Sequence, residues 1–174
     1  MKSYQSANER GELLPDHIII TVKDLDRSIA FYETALKPLG IVHALDYDGK
    51  NGPDGHPDLK GFGRDGRVFF WLRQGDADAR AAHIGFVARS EAEVNAFYEA
   101  AMAAGATDNG KPGARLYYDP RYYAANVFDP DGYSLENDGL TVLQSTHNAS
   151  GGRWVRNPSW PKAASLPLPD ERTW

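Results

Sequence analysis

His17-Ile18-Ile19-Ile20, followed at Phe31-Tyr32-Glu33 and then by Ala35 and Leu36, returns later as His83-Ile84-Gly85-Phe86, Phe97-Tyr98-Glu99, Ala101 and Met102. A shift of 66 residues lays His on His and Phe-Tyr-Glu on Phe-Tyr-Glu. A repeated supersecondary unit signals that one copy cannot bury its own apolar face without a neighbour. Two copies, each opening on a histidine, point to a paired module with a site between the halves. A solenoid would need a third.

Around that repeat the pattern can be read outward. Residues 17–22 are a β-branched apolar run too short for a helix, so they predict a buried strand. Asp24 to Asp26 supply N-cap chemistry, and Arg27 to Leu36 then place Ile29, Tyr32 and Leu36 on one helical face. Pro38 and Gly40 stop that helix. Ile41 to Tyr47 predicts a second strand, 48–56 a Gly/Asp/Pro loop, and Lys60–Gly63 with Arg67–Arg73 a hairpin turning at Arg64-Asp65-Gly66. The second half repeats this order. His83–Ala88 predicts a strand, and Ser90 with Glu93 a capping box. The helix then runs to about Ala104 and ends at Gly105. Ala106–Asp108 predicts a short strand and Asn109–Gly113 a loop. Leu116–Tyr118 and Tyr123–Phe128 are strand-like, Asp129-Pro130-Asp131-Gly132 is a turn, and Tyr133–Glu136 begins the last strand.

The 174 residues suit one domain of about 15–145, made of modules 15–75 and 81–145, with a Pro/Trp-rich extension at 148–174. In the extension, Trp154, Trp160 and Trp174 read as packing anchors over the domain or a partner subunit. An apolar share of 41% supports a core, and a net charge of −5 with scattered basic residues argues against a nucleic acid or anionic membrane partner. No apolar run is long enough to span a bilayer, and Met1 to Leu14 has no signal-peptide core. The expectation is a cytoplasmic protein acting on a small molecule, with a homodimer as the candidate assembly. Without cysteine there is no disulfide frame, thiolate ligand or thiol nucleophile.

Three side chains carry the chemistry. Alternation in strands puts His17, Ile19 and Thr21 on one face, and His83, Gly85 and Val87 on one face; in the last strand Ser134 and Glu136 point the same way. Two imidazoles and a carboxylate suit a divalent transition metal with coordination positions left open for substrate. A histidine opening a strand is also a common boundary residue, and a strand glutamate is commonly solvated. The repetition favours ligands, because a packing repeat has no need of an imidazole.

The His-strand, the Phe-Tyr-Glu helix, the second His-strand and Asp129-Pro130-Asp131-Gly132 with Glu136 resemble the vicinal oxygen chelate superfamily, which contains glyoxalase I, bleomycin-resistance proteins, fosfomycin-resistance enzymes and extradiol dioxygenases. The resemblance covers about residues 15–140, and the run from Asn109-Gly110 through Tyr122-Tyr123 to Glu136 looks most like small glyoxalase-like proteins. It implies an α+β fold in which two βαβββ modules form an open, cup-shaped mixed sheet around a metal. By position, His17, His83 and Glu136 match three metal-ligand positions, and Glu136 is also the catalytic candidate. The implied cofactor is a divalent ion (Fe, Mn, Zn or Ni). Three departures matter. The strand 67–73, where glyoxalase I resembles this chain but carries a further glutamate ligand, has no carboxylate. Asn126 stands where the dioxygenase pattern carries a tyrosine, and Asp119 where many relatives have a histidine.

Tyr117, Tyr118, Tyr122 and Tyr123 flank the expected cup, and Tyr118, Tyr123 and Trp71 are the substrate-lining candidates. Arg115 is the candidate for an anionic substrate group, with Arg121 beside it. Asp46-Tyr47-Asp48-Gly49 fails the EF-hand order and reads as a solvated loop. His43, His56 and His147 have no repeat partner and read as structural or exposed. The leading expectation is a metal-dependent lyase, isomerase or dioxygenase acting on vicinal oxygens. The alternatives are a metal-free binding protein that sequesters a drug-like ligand, as bleomycin-resistance members do, and an accessory dimer whose tail wraps a partner.

Overall fold

The structure is a computed structural model that describes residues 16–118 and 122–139. The expected 148–174 extension lies outside these residues, as do Asp119, Arg121 and His147.

The sequence repeat is a structural repeat. In the first half β1 (Ile18–Val22) leads to α1 (Leu25–Ala35), then β2 (Val42–Tyr47), β3 (Leu59–Arg64) and β4 (Arg67–Gln74). In the second half β5 (His83–Val87) leads to α2 (Glu91–Ala103), then β6 (Thr107–Ala114), β7 (Tyr123–Phe128) and β8 (Ser134–Asp138). Each half folds into a four-stranded mixed sheet, ordered β1-β4-β3-β2 in one and β5-β8-β7-β6 in the other. In both, the first strand lies parallel to the last and the remaining pairs are antiparallel. The α+β architecture of two βαβββ modules with open sheets is as expected from the sequence.

Local chemistry sets the element ends. The Asp24 side chain accepts from the Arg27 amide at 3.0 Å, so α1 starts two residues before the amphipathic pattern suggests. Ser90 accepts from the Glu93 amide at 3.2 Å, and the Glu93 carboxylate returns to the Arg89 amide at 2.8 Å. The β3–β4 hairpin closes at Asp65 and Gly66, both at positive φ, the backbone that a two-residue turn with right-handed strand twist requires.

Two expectations fail around residues 109–118. Asn109–Gly113, expected as loop, lies within the strand β6. Pro112 is tolerated because β6 is the outer strand of its sheet, and register shifts at Gly110 and Gly113 absorb the irregularity. Leu116–Tyr118, expected as strand, is a turn: Tyr118 N–H donates to Arg115 C=O at 2.9 Å, and Arg115 N–H to Tyr122 C=O at 2.7 Å. The chain reverses there, so Leu116, Tyr117 and Tyr118 are exposed instead of laddered.

Apolar residues on the helix side of both sheets form one shared core. On β5 the alternation is strict, with Ile84 and Phe86 buried and His83, Gly85 and Val87 exposed. On β1, Ile20 and Val22 point inward beneath α1. Phe70 stands edge-on to Tyr32, with centroids 4.9 Å apart, and to Phe86 of the other half at 5.5 Å, so the aromatic cluster crosses between modules.

A polar latch makes the same crossing. Tyr32 on α1 donates its hydroxyl proton to Asp129 Oδ2 at 2.7 Å, while Asp129 Oδ1 accepts from the Asp131 and Tyr133 amides at 2.9 and 2.8 Å. Asp131 in turn receives the Lys23 amide at 3.0 Å and the Arg27 guanidinium at 2.5 Å. Tyr133 donates to Thr21 C=O at 2.9 Å. The turn that launches β8, and with it Ser134 and Glu136, is thereby pinned to β1 and α1 of the first module.

Candidate functional site

Each sheet has a face turned away from the helices, and the chemistry gathers on these open faces. In the second module, register pairs His83 with Ser134 and Gly85 with Glu136 across the parallel β5–β8 ladder. His83 Nε2 lies 2.9 Å from Glu136 Oε2, and His83 Nδ1 lies 2.9 Å from Ser134 Oγ. A carboxylate only accepts, so Nε2 carries the proton and Ser134 donates to Nδ1 in the neutral imidazole. Asn109 on β6 reaches Ser134 Oγ at 3.4 Å. On the other side Tyr122 donates to Glu136 Oε1 at 2.6 Å and stands 3.4 Å from Asp138 Oδ2. Burial, then the neighbouring Glu136 and Asp138 carboxylates, pushes the Tyr122 hydroxyl well above its ordinary range, so it remains a donor.

The result is one hydrogen-bonded row, Asn109–Ser134–His83–Glu136–Tyr122, that orients both a histidine and a carboxylate. His83 is half-exposed while Glu136 is largely covered. An imidazole and a carboxylate converging this closely, each steadied by an outer partner, are the donor chemistry of a divalent transition metal. Ser134 shares a strand face with Glu136, which the alternation makes readable. Tyr122 is brought to Glu136 only by the antiparallel β7–β8 pairing.

His17 stands apart from this row. Its Nδ1 is 2.9 Å from Asp16 Oδ2, and Arg67 on β4 donates to Asp16 C=O at 2.9 Å. It lines a cleft along the β1–β5 seam with Ile18, Phe69 and Ile84 to Phe86, whereas His83 lines the adjoining cleft with Ile18 to Ile20. Among the described residues no group of three His, Cys, Asp or Glu side chains gathers closely enough to hold a metal.

The remaining candidates divide. Tyr118 is exposed and stacks obliquely on Tyr117 at 4.5 Å and edge-on to Tyr122 at 5.4 Å, extending an aromatic wall outward from Glu136. Trp71 lies on the open face of the first module, opposite Ile19. Tyr123 is a correction. Asn126 pairs with Glu136, so strand alternation sends Tyr122 to the site face and Tyr123 to the helix face, where its hydroxyl donates to Asn95 of α2 at 3.0 Å. Arg115 turns its Nη2 to Lys111 C=O at 3.0 Å and Gly110 C=O at 3.4 Å. His43 is structural as expected, stacked on Phe62 with its Nε2 2.7 Å from Asp46.

The fold is shared with known proteins. A family profile described as the Glyoxalase/Bleomycin resistance protein/Dioxygenase superfamily matches residues 14–136. A glyoxalase/bleomycin resistance protein from Albidiferax ferrireducens T118 is similar at 25% identity, covering 71% of this chain and 95% of its own, with a TM-score of 0.57. A mutant of the fosfomycin resistance protein FosX from Listeria monocytogenes, complexed with Mn(II) and 1S,2S-dihydroxypropylphosphonic acid, is similar at 21% identity over 74% of this chain and 91% of its own, with a TM-score of 0.54. A glyoxalase I mutant from Zea mays has 19% identity over 72% of this chain and 44% of its own, with a TM-score of 0.55. No curated protein matches the chain.

Proposed function

Because the chain belongs to the Glyoxalase/Bleomycin resistance protein/Dioxygenase superfamily, we propose that it is a divalent-metal-dependent enzyme acting on a small molecule with vicinal oxygens, by lyase, isomerase or dioxygenase chemistry. The observation that carries this reading is the His83–Glu136 pair, held from both sides by Ser134 and Tyr122. A merely solvated histidine and glutamate need no such outer partners. The ion (Fe, Mn, Zn or Ni) would supply Lewis acidity, polarising two adjacent substrate oxygens. His83 would hold it through Nε2 in the tautomer whose Nδ1–H donates to Ser134 Oγ, Glu136 would hold it through its carboxylate, and Tyr122 fixes that carboxylate. The structural relatives complexed with Mn(II) make such an ion plausible for the fold.

Two donors leave the set incomplete, and His17 of a second copy supplies the third. The supporting observation is that, among the described residues, each open sheet face carries an exposed apolar side chain, Ile19 on β1 at 43% and Val87 on β5 at 65%. A homodimer that lays the first module of one copy against the second module of the other would bury these residues and complete two equivalent sites.

A mixing experiment tests metal binding and assembly together. Wild type should take up one ion per chain, and His17→Ala and His83→Ala should each lose it. In the mixed dimer of these two variants one site has all its donors and the other lacks both histidines, so half the metal returns. Donors gathered within one chain would return none, which would refute the shared site. Equal and negligible metal in wild type and variants would refute the enzyme reading and favour the ligand-sequestering alternative. Loaded protein would then be assayed on glyoxal hemithioacetals, catechols and epoxides to separate isomerisation, ring cleavage and addition.

A further inference from the structure

The internal repeat and the strand register together identify the first module's counterpart of Glu136. The 66-residue shift equates Ile19 with Gly85. Across the parallel ladders Ile19 pairs with Trp71 and Gly85 pairs with Glu136. Trp71 therefore occupies the position in β4 that Glu136 occupies in β8, on the same face as Ile19.

A second observation shows that the indole is built into this face. Gly61 pairs with Trp71 across β3–β4, and a Cβ at Gly61 would lie 2.7 Å from Trp71 Cζ3 and 2.9 Å from Cε3. Those approaches are closer than real side chains make, so the ring lies down over the glycine and only a residue without a side chain accommodates it. Val68 Cγ1, 2.6 Å from the same Cβ position, closes one edge. One face of the indole is seated on the sheet and the ring is held at low entropic cost.

We propose that Trp71 is the specificity-determining residue of the site: it stands where the repeat would place a second carboxylate and offers a fixed stacking surface to a planar group of the substrate. This rests on the metal site proposed above. The consequence is an asymmetric centre, with a carboxylate on one side and an indole on the other. Proton transfer between two opposed carboxylates is unavailable to it, and a flat ligand gains contact that a puckered one does not.

The experiment transplants the carboxylate. Mn(II) affinity is measured by titration calorimetry on full-length protein. Glu136→Gln should weaken it, and adding Trp71→Glu to that variant should restore it to within about tenfold of wild type, because charge and donor count set affinity. Trp71→Gln added to Glu136→Gln is the control and should restore nothing. Wild type that binds Mn(II) while the Trp71→Glu and Trp71→Gln double variants bind alike would overturn the placement of Trp71 and leave the metal reading standing. Wild type that binds no metal would overturn both.

A second measurement holds even where the double variant fails to fold. Mn(II)-loaded wild type and Trp71→Ala are titrated with catechol and with trans-cyclohexane-1,2-diol, a puckered vicinal diol. The variant should lose about tenfold in its preference for the planar ligand, the size expected for removal of one stacking partner. An unchanged preference would overturn the stacking role.

Discussion

Tyr32→Phe removes one oxygen from the latch between modules, and its cost can be worked from the structure. Asp129 is buried, and its Oδ2 receives the Tyr32 hydroxyl at 2.7 Å while Oδ1 is satisfied by two backbone amides. Phenylalanine preserves the ring that Phe31, Phe62 and Phe70 pack around, so the hydrophobic term is nearly unchanged. What is lost is a hydrogen bond to a charged group, leaving a carboxylate oxygen buried without that donor, a cost of about 2 kcal/mol. For a chain of this length that is a fall in melting temperature of roughly 4–8 °C. Burial raises the Asp129 pKa, and the Tyr32 hydrogen bond partly opposes the rise. A carboxyl whose folded-state pKa exceeds its unfolded value binds more protons when folded. Its ionisation therefore costs stability as pH rises through the folded value, and acidification relieves that cost. Tyr32→Phe raises the folded pKa further. The deficit should then be fully present at neutral pH and shrink as pH falls through the raised Asp129 pKa. Urea unfolding of wild type and variant across pH 4 to 8, with m-values compared, measures this. A difference under about 0.5 kcal/mol at pH 7, or one that does not narrow in acid, would refute the account of the latch.

Three further perturbations follow from particular contacts. Tyr122→Phe should keep the fold and weaken Mn(II) binding roughly 10- to 100-fold, the usual penalty for removing a partner of a metal ligand, as read by calorimetry; unchanged affinity would mean that Tyr122 does not orient Glu136. Gly63→Ala would place a Cβ 2.0 Å from Arg67 C=O, a backbone atom that cannot rotate away, so the β3–β4 hairpin should lose about 1–3 kcal/mol in urea unfolding. Ser90→Ala removes the acceptor for the Glu93 amide and should cost about 1 kcal/mol, visible as a lower melting temperature with metal affinity intact.

Much of the architecture was legible in the chain because the signals are local. The β-branched runs, the Asp24 and Ser90 caps and the turns at Asp65-Gly66 and 129–132 each act within a few residues, and the doubled His/Phe-Tyr-Glu pattern then orders them into two modules. The misreadings occur where local chemistry is overruled. Gly110, Pro112 and Gly113 read as loop, yet an outer strand with bulges accepts them. Leu116-Tyr117-Tyr118 read as strand, yet the Arg115–Tyr122 closure turns the chain there.

The same division separates the site's residue types from its geometry. The residue order alone shows that histidines open both modules and that strand 67–73 lacks a carboxylate, and strand alternation, a property of the backbone, puts Glu136 on one face with Ser134. Tertiary structure decided that His83 rather than His17 meets Glu136, that Tyr122 and not Tyr123 reaches it, and that Trp71 is the counterpart of the carboxylate. The first and last depend on register between segments some fifty residues apart, and the second on the β7–β8 register. A shift of one residue in that register would turn every one of these side chains to the opposite face.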